Sequence, residues 1–143
     1  QIDQCASLTL MFQKEVAERV VAGPKSKAYG RLSVLCQYLC DCDILFDVHR
    51  SAFTPPPKVT SAVVQLRPKT DRGAEINLAS LAKITQAAFG QRRKMLRASL
   101  KTLNINVGEL LDKAGITETA RAEELSVADF VRLTQVHDEM VAS

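Results

Sequence analysis

Residues 51–64 read SAFTPPPKVTSAVV, with Phe53 just ahead of three consecutive prolines and Lys58 just behind them. Proline fixes φ near about −65°, and Pro55 also disfavours helix at Thr54. The stretch 52–59 is therefore expected to run as a stiff polyproline path and to lose little entropy on meeting a ligand. A ring held this way suits stacking on another flat ring, and base–aromatic stacking contributes roughly 1–3 kcal/mol per base. The same residues also suit a sheet edge that Phe53 plugs while the prolines block further strand pairing. Residue types alone leave both readings open.

A second constellation is AFGQRRKMLRASLKTL, residues 88–103. Read as a helix over 91–103, it sets Arg93, Arg97 and Lys101 four apart in one basic stripe, flanked by Arg92 and Lys94. Leu96, Leu100 and Leu103 fall on a neighbouring apolar stripe. No Asp or Glu occurs between Glu75 and Glu109, and Lys83 adds another cation to that window. A net charge of only +3 conceals this local block. A phosphate backbone is one natural partner; a solvated charged face is the other reading.

The loop GPKSKAYG, residues 23–30, places Lys25, Lys27 and Tyr29 between glycines. It reads either as a mobile lid that touches nucleic acid or as a plain exposed connection. Gln13, Lys14 and Glu15 follow an apolar strand, where α/β proteins often put site residues. No catalytic triad, paired carboxylates or phosphate loop stands out, and His49 and His137 are isolated. Cys5, Cys36, Cys40 and Cys42 contain no C-x-x-C pair and read as reduced, mostly buried thiols, with no metal site assigned.

These residues need elements to carry them. Strands are expected at 7–12, 43–48 and 61–66, with a helix from Val16 to Val21 and another over 32–39. Residues 70–75 (TDRGAE) read as a linker. Beyond them the pattern is helical: 78–89, 91–103, 107–114 closed by Gly115, and 126–141 opened by a Ser126-x-x-Asp129 capping pattern. The fold class is thus α/β followed by all-α, with one part over 1–69 and a small helical part over 70–143. Two or three strands are few for an independent parallel sheet, and no G-x-G turn is present, so the sequence is expected to start in the middle of a domain.

The chain has 143 residues, 46% hydrophobic and 24% charged, ordinary values for a globular protein. No apolar run approaches the roughly 18 residues that a membrane helix needs, and no signal-peptide pattern opens the chain. No membrane partner is expected, and the cytoplasm is the expected compartment.

Three stretches in order, LMFQKEVAERVVAGPKSKAYGRLSV, FTPPPKVTSAVV and AFGQRRKMLRASL, strongly resemble the ribosomal-RNA adenine N6-dimethyltransferases. The likeness runs from about Leu8 to Met140 and is greatest to members that dimethylate two adjacent adenines of small-subunit rRNA. It implies a Rossmann-like methyltransferase sheet, present here as its C-terminal part, followed by a small helical rRNA-binding domain. It implies small-subunit rRNA or the small ribosomal subunit as partner, and S-adenosylmethionine as cofactor of the whole enzyme. The cofactor turn and the N-L-P-Y motif precede the first strand in relatives, so no cofactor-binding residue is assigned to this chain. No bound cofactor and no activity are expected of it alone.

By the same resemblance Phe53 stacks on the flipped target adenine. Thr60 stands where relatives commonly carry Asp, which leaves a carboxylate role there in doubt. Lys25, Lys27, Tyr29, Lys58, Arg92, Arg93, Lys94, Arg97 and Lys101 are implied RNA contacts. A non-catalytic module that binds rRNA during ribosome assembly is the alternative.

Overall fold

Strand β1 (Leu8–Gln13), β2 (Cys40–Val48) and β3 (Ser61–Pro68) form one antiparallel sheet in the order β1-β3-β2. The computed structural model describes residues 7–72 and 75–142. Cys5, and Gly73 and Ala74 of the expected linker, lie outside them. β3 is central: Val64 stands opposite Leu10 on one side and Ile44 on the other. β2 begins earlier than the apolar run suggested, because CDCDI alternates. Cys40, Cys42 and Ile44 lie inward, while Asp41 and Asp43 are exposed. A register shift between Ile44 and Phe46 bends the strand near its end.

Helices α1 (Lys14–Val21) and α2 (Arg31–Leu39) connect β1 to β2 and cover one sheet face. Ala17 and Val20 of α1 pack on Ala62 and Val64 in a small core. The other face presents Met11, Val63 and Phe46 in one row across the three strands, with Met11 54% and Phe46 57% exposed. Cys36, Cys40 and Cys42 form no disulfide among the described residues. Burial, with the neighbouring thiols adding, pushes the Cys42 thiol up to about 12 and keeps it protonated and inert.

The second half is helical, with α3 (Leu78–Gly90), the short α4 (Leu96–Ser99), α5 (Val107–Ala114) and α6 (Val127–Ala142). Asn77 caps α3, its side-chain oxygen accepting from the Ala79 and Ser80 amides at 2.8 and 3.2 Å. Gly115, at φ 71°, closes α5 in the left-handed region where glycine costs least. Ser126 and Asp129 exchange the two bonds of a capping box, 3.0 and 3.1 Å.

The expected helix over 91–103 does not form as one piece. Residues 91–94 are a turn, Met95 pairs as an isolated bridge with Arg121, and the Leu96 amide donates to Ala120 O at 2.8 Å. Only then do α4 and a 3₁₀ turn (Leu100–Leu103) follow. The apolar spacing was read correctly: Leu96, Leu100 and Leu103 are all buried. What broke the helix is a tertiary pairing with a segment about 25 residues away, which the local pattern cannot report.

The larger core draws on both sides of residue 70. Tyr29, Val34 and Tyr38 pack with Leu81, Ile84, Leu100, Leu110, Phe130 and Leu133. Helix α2 is therefore two-sided, turning Val34 and Tyr38 to the helical half while Cys36 packs against the sheet core. Tyr29 is wholly buried, and its hydroxyl donates to the Leu125 carbonyl at 2.6 Å. Burial, with Asp129 nearby, pushes its phenol up to about 12.

Tyr29→Phe removes this bond and strands the Leu125 carbonyl, so unfolding free energy should fall by about 1 kcal/mol in urea titrations at neutral pH. The raised phenol pKa favours the protonated folded form. Its contribution is full below the ordinary value of 10.0 and is lost as pH rises towards about 12. The alkaline decline in stability over that window should therefore be shallower in Tyr29→Phe.

Candidate nucleic-acid interface

Phe53 lies at the corner between β2 and β3, directly after a 3₁₀ turn over Arg50–Ala52. His49 caps that turn, its Nδ1 accepting from the Ser51 amide at 3.2 Å. The Phe53 amide donates back to Arg50 O at 3.2 Å, and Arg50 Nη1 reaches across the prolines to the Lys58 carbonyl at 3.2 Å. The chain bends at 53–55, so the stretch 52–59 is not one uninterrupted polyproline path, and the Thr54–Pro55 peptide is cis. The loop is instead held by a clasp from Arg50. Phe53 itself is half-buried, with Lys58 exposed beyond it.

The corner is fastened to the C-terminal end of β1. The Lys14 amide donates to Thr60 O at 2.9 Å, and Lys14 Nζ pairs with Asp47 of β2 at 2.9 Å. The hydrogen bond and charge of Asp47 raise the Lys14 pKa above its ordinary value. Lys14 thus serves as a strap between strand ends; the short sequence around it carried no sign of its distant partner.

The loop over 23–30 is not a mobile lid. Lys25 adopts φ 72° and its amide donates to Glu123 O at 2.7 Å. Arg92 Nη2 donates to the carbonyls of Ser26 and Lys27 at 3.3 and 3.2 Å, with its guanidinium carbon 5.8 Å from the Phe89 ring centre. Tyr29 is withdrawn from any surface and belongs to the core, which corrects its expected place among RNA contacts. Lys25 and Lys27 stay exposed, Lys27 lying beside Glu15, Glu18 and Arg19 of α1. Arg92, half-buried, is a clamp whose guanidinium is already engaged.

The remaining cations stand free. Arg93 and Lys94 sit on the turn after α3, Arg97 on α4 and Lys101 on the 3₁₀ turn; all are exposed. With the helix broken, they do not form the single expected stripe. Among the described residues none of these cations pairs with a carboxylate, whereas Lys14, Arg19, Arg67, Lys69, Lys113 and Arg132 all do. A track of contacts links the two regions: the Phe53 corner to Lys14, α1 to the loop at Lys27, and that loop through Arg92 to the basic turn. Exposed cations without carboxylate partners suit contacts to an anionic partner such as a phosphate backbone.

β1 passes into α1 at Gln13–Lys14 with no glycine turn, and Gln13 makes no side-chain cap. Among the described residues no group of three or more His, Cys, Asp or Glu is placed to hold a metal, and no helix is long and apolar enough to cross a membrane.

A family model described as ribosomal RNA adenine dimethylase matches residues 1–139. The chain is similar to ribosomal RNA small subunit methyltransferase A of Xanthobacter autotrophicus, 57% identical over 135 residues, 94% of this chain and 46% of that protein. The same-named protein of Azorhizobium caulinodans is 59% identical over 128 residues, 90% of this chain and 44% of that one. The chain thus spans about half the length of the curated relatives it matches. Among solved structures, a dimethyladenosine transferase from Plasmodium falciparum superposes with TM-score 0.83 at 27% identity, covering 95% of this chain and 58% of that one. The 23S rRNA methyltransferase ErmE superposes with TM-score 0.60 at 25% identity, covering 93% and 55%.

Arg92→Ala should free the loop over 23–30 while leaving the core intact. Limited trypsin digestion is expected to cut after Lys25 and Lys27 several-fold faster than in the parent, with a change in unfolding free energy of at most about 1–2 kcal/mol. Equal cleavage rates would mean that Arg92 does not hold the loop.

Proposed function

This chain belongs to the ribosomal RNA adenine dimethylase family, and from that premise we propose that the protein carrying it dimethylates two adjacent adenines of small-subunit rRNA, with these residues forming the target-base and RNA-holding side. S-adenosylmethionine supplies the methyl groups in such chemistry. Its seat is assigned to none of the described residues. The sheet is read as the C-terminal portion of a Rossmann-like domain, and residues 70–143 as a small RNA-binding domain. The cytoplasm, where ribosomal RNA is assembled in bacteria, is the compartment this reading implies.

The observation that carries the proposal is Phe53. Its backbone is fixed by the Arg50–Lys58 clasp and by Lys14 at the ends of the strands. Methylating an exocyclic amine requires that the base leave its stack, and a preset ring gives the extruded adenine a surface to lie on. Phe53 is thus assigned a stacking role, and Lys58, exposed beside it, a contact to the adjoining phosphate. Arg93, Lys94, Arg97 and Lys101 are assigned to the RNA backbone, and Lys25 and Lys27 to its margin. Arg92 acts through the loop it holds.

A second reading has its own support. The uncompensated cations of residues 93–101 would bind RNA whether or not methyl transfer follows, as an assembly module does.

One experiment separates the two. In the intact protein, Phe53→Ala should cut methylation of immature small subunits by at least about tenfold, the cost of roughly 1.4 kcal/mol of lost stacking, with RNA affinity little changed. Arg93→Ala with Lys94→Ala and Arg97→Ala should instead weaken affinity and flatten the salt dependence of log K by about 2–3 in slope. Undiminished methylation by Phe53→Ala overturns the stacking assignment. An unchanged salt slope makes the basic segment a solvated face.

A further inference from the structure

A cleft of about 350 Å³ lies between the C-terminal part of α3 and the α4–3₁₀ segment, and the reading above leaves it unused. Ala87, Gly90 and Leu103 provide its apolar lining. Lys83 and Gln86 of α3, Gln91 of the following turn and Thr102 provide its polar lining. Ser99 borders the same space, 1% exposed, and among the described residues its Oγ has no hydrogen-bond partner.

That hydroxyl is unusual within this protein. Other buried helical hydroxyls have partners: Thr85 donates to Leu81 O and Thr134 to Phe130 O, both at 2.8 Å, and Ser33 donates to the Arg19 carbonyl of α1. Ser99 makes no such bond to Met95. A buried hydroxyl left unmatched loses its solvation and gains nothing within the folded chain. A polar ligand in the cleft would restore the missing bond.

The lining selects the ligand's chemistry. Gln86 and Gln91 each carry a donor and an acceptor, the mixed pattern that a nucleobase edge presents. Lys83 offers a cation for a phosphate, and no carboxylate lines the cleft. The volume lies within the range of small-ligand pockets. Arg97 and Lys101, exposed on the same short segment, continue the positive surface beside it. We propose that this cleft takes one unpaired ribonucleotide of the bound RNA, its base edge read by the two glutamines and Thr102, its phosphate by Lys83, and its remaining polar group by Ser99. The proposal rests on the reading of this chain as RNA-binding and adds a nucleotide subsite separate from the Phe53 corner.

The test titrates the intact, isotope-labelled protein with each of the four ribonucleoside monophosphates and, in parallel, with inorganic phosphate, followed by NMR. At least one nucleotide should shift the side-chain amides of Gln86 and Gln91 and the Thr102 signals, while phosphate alone should not. Gln86→Ala with Thr102→Val should weaken that nucleotide's binding by about tenfold. Ser99→Ala should also weaken it while leaving the melting temperature equal or higher, a combination that a purely structural serine would not give.

Identical shifts from phosphate and nucleotides would reduce the cleft to an anion site and overturn the proposal. Absent shifts with salt-dependent RNA binding intact would overturn it and spare the functional reading. Absent shifts together with RNA binding that ignores salt would bring down both.

Discussion

The hydroxyl of Tyr29 reaches Leu125 O across 96 residues of sequence, and much of the molecule's geometry hangs on the packing around it. The Tyr29 ring meets Phe89 edge-on at 5.8 Å, and Phe89 lies 5.5 Å from Phe130. Arg92 covers Phe89 and grips the loop that leads into Tyr29. One aromatic cluster therefore sets the loop, the end of α3 and the start of the basic turn at once. Helix α2, beginning just after Tyr29, carries that order to the sheet. Its Gln37 side chain donates to the Val20 and Ala22 carbonyls at 2.8 and 2.7 Å and finishes α1.

Charge is divided along the same lines. On the sheet side, Asp47, Asp43 and Asp41 face Lys14, Arg67 and Lys69 in exposed pairs. Each contributes at most about 1 kcal/mol, and within these pairs the strand carboxylates are matched by cations. The segment from Arg93 to Lys101 has no such partners. A phosphate backbone arriving at this protein meets paired charges along the strands and an unpaired run of exposed cations from Arg93 to Lys101. Under the proposed reading, Phe53 offers a stacking surface while Arg93, Lys94, Arg97 and Lys101 offer the electrostatic hold.

Much of this was readable from residue order. The period-2 apolar runs located β1 and β3, and helical spacing located α3, α5 and α6, with the Ser126–Asp129 box and Gly115 marking ends. The setting of Phe53 was legible only in part: bends interrupt the extended proline path, and a clasp from Arg50 to Lys58 ties the loop. What stayed hidden were couplings between distant segments. Met95 pairs with Arg121 and splits a helix that looked continuous. Tyr29, just past two lysines in a polar loop, had every local mark of an exposed ring, yet its partners Phe89 and Leu125 lie far along the chain. Short-range patterns report periodicity and caps; they do not report which distant carbonyl a tyrosine will find.

The central claim is that sheet and helical halves are one cooperative unit joined through α2 and Tyr29, so that the Phe53 corner and the basic segment keep a fixed relation. Native-state hydrogen exchange on the intact protein, followed across low urea concentrations, tests it directly. The amides of α2 and β3 should converge with those of α3 and α6 on a single opening free energy and urea dependence. If α3 and α6 stay protected while α2 and β3 open through a separate, lower-energy transition, the two halves are independent and the account is contradicted.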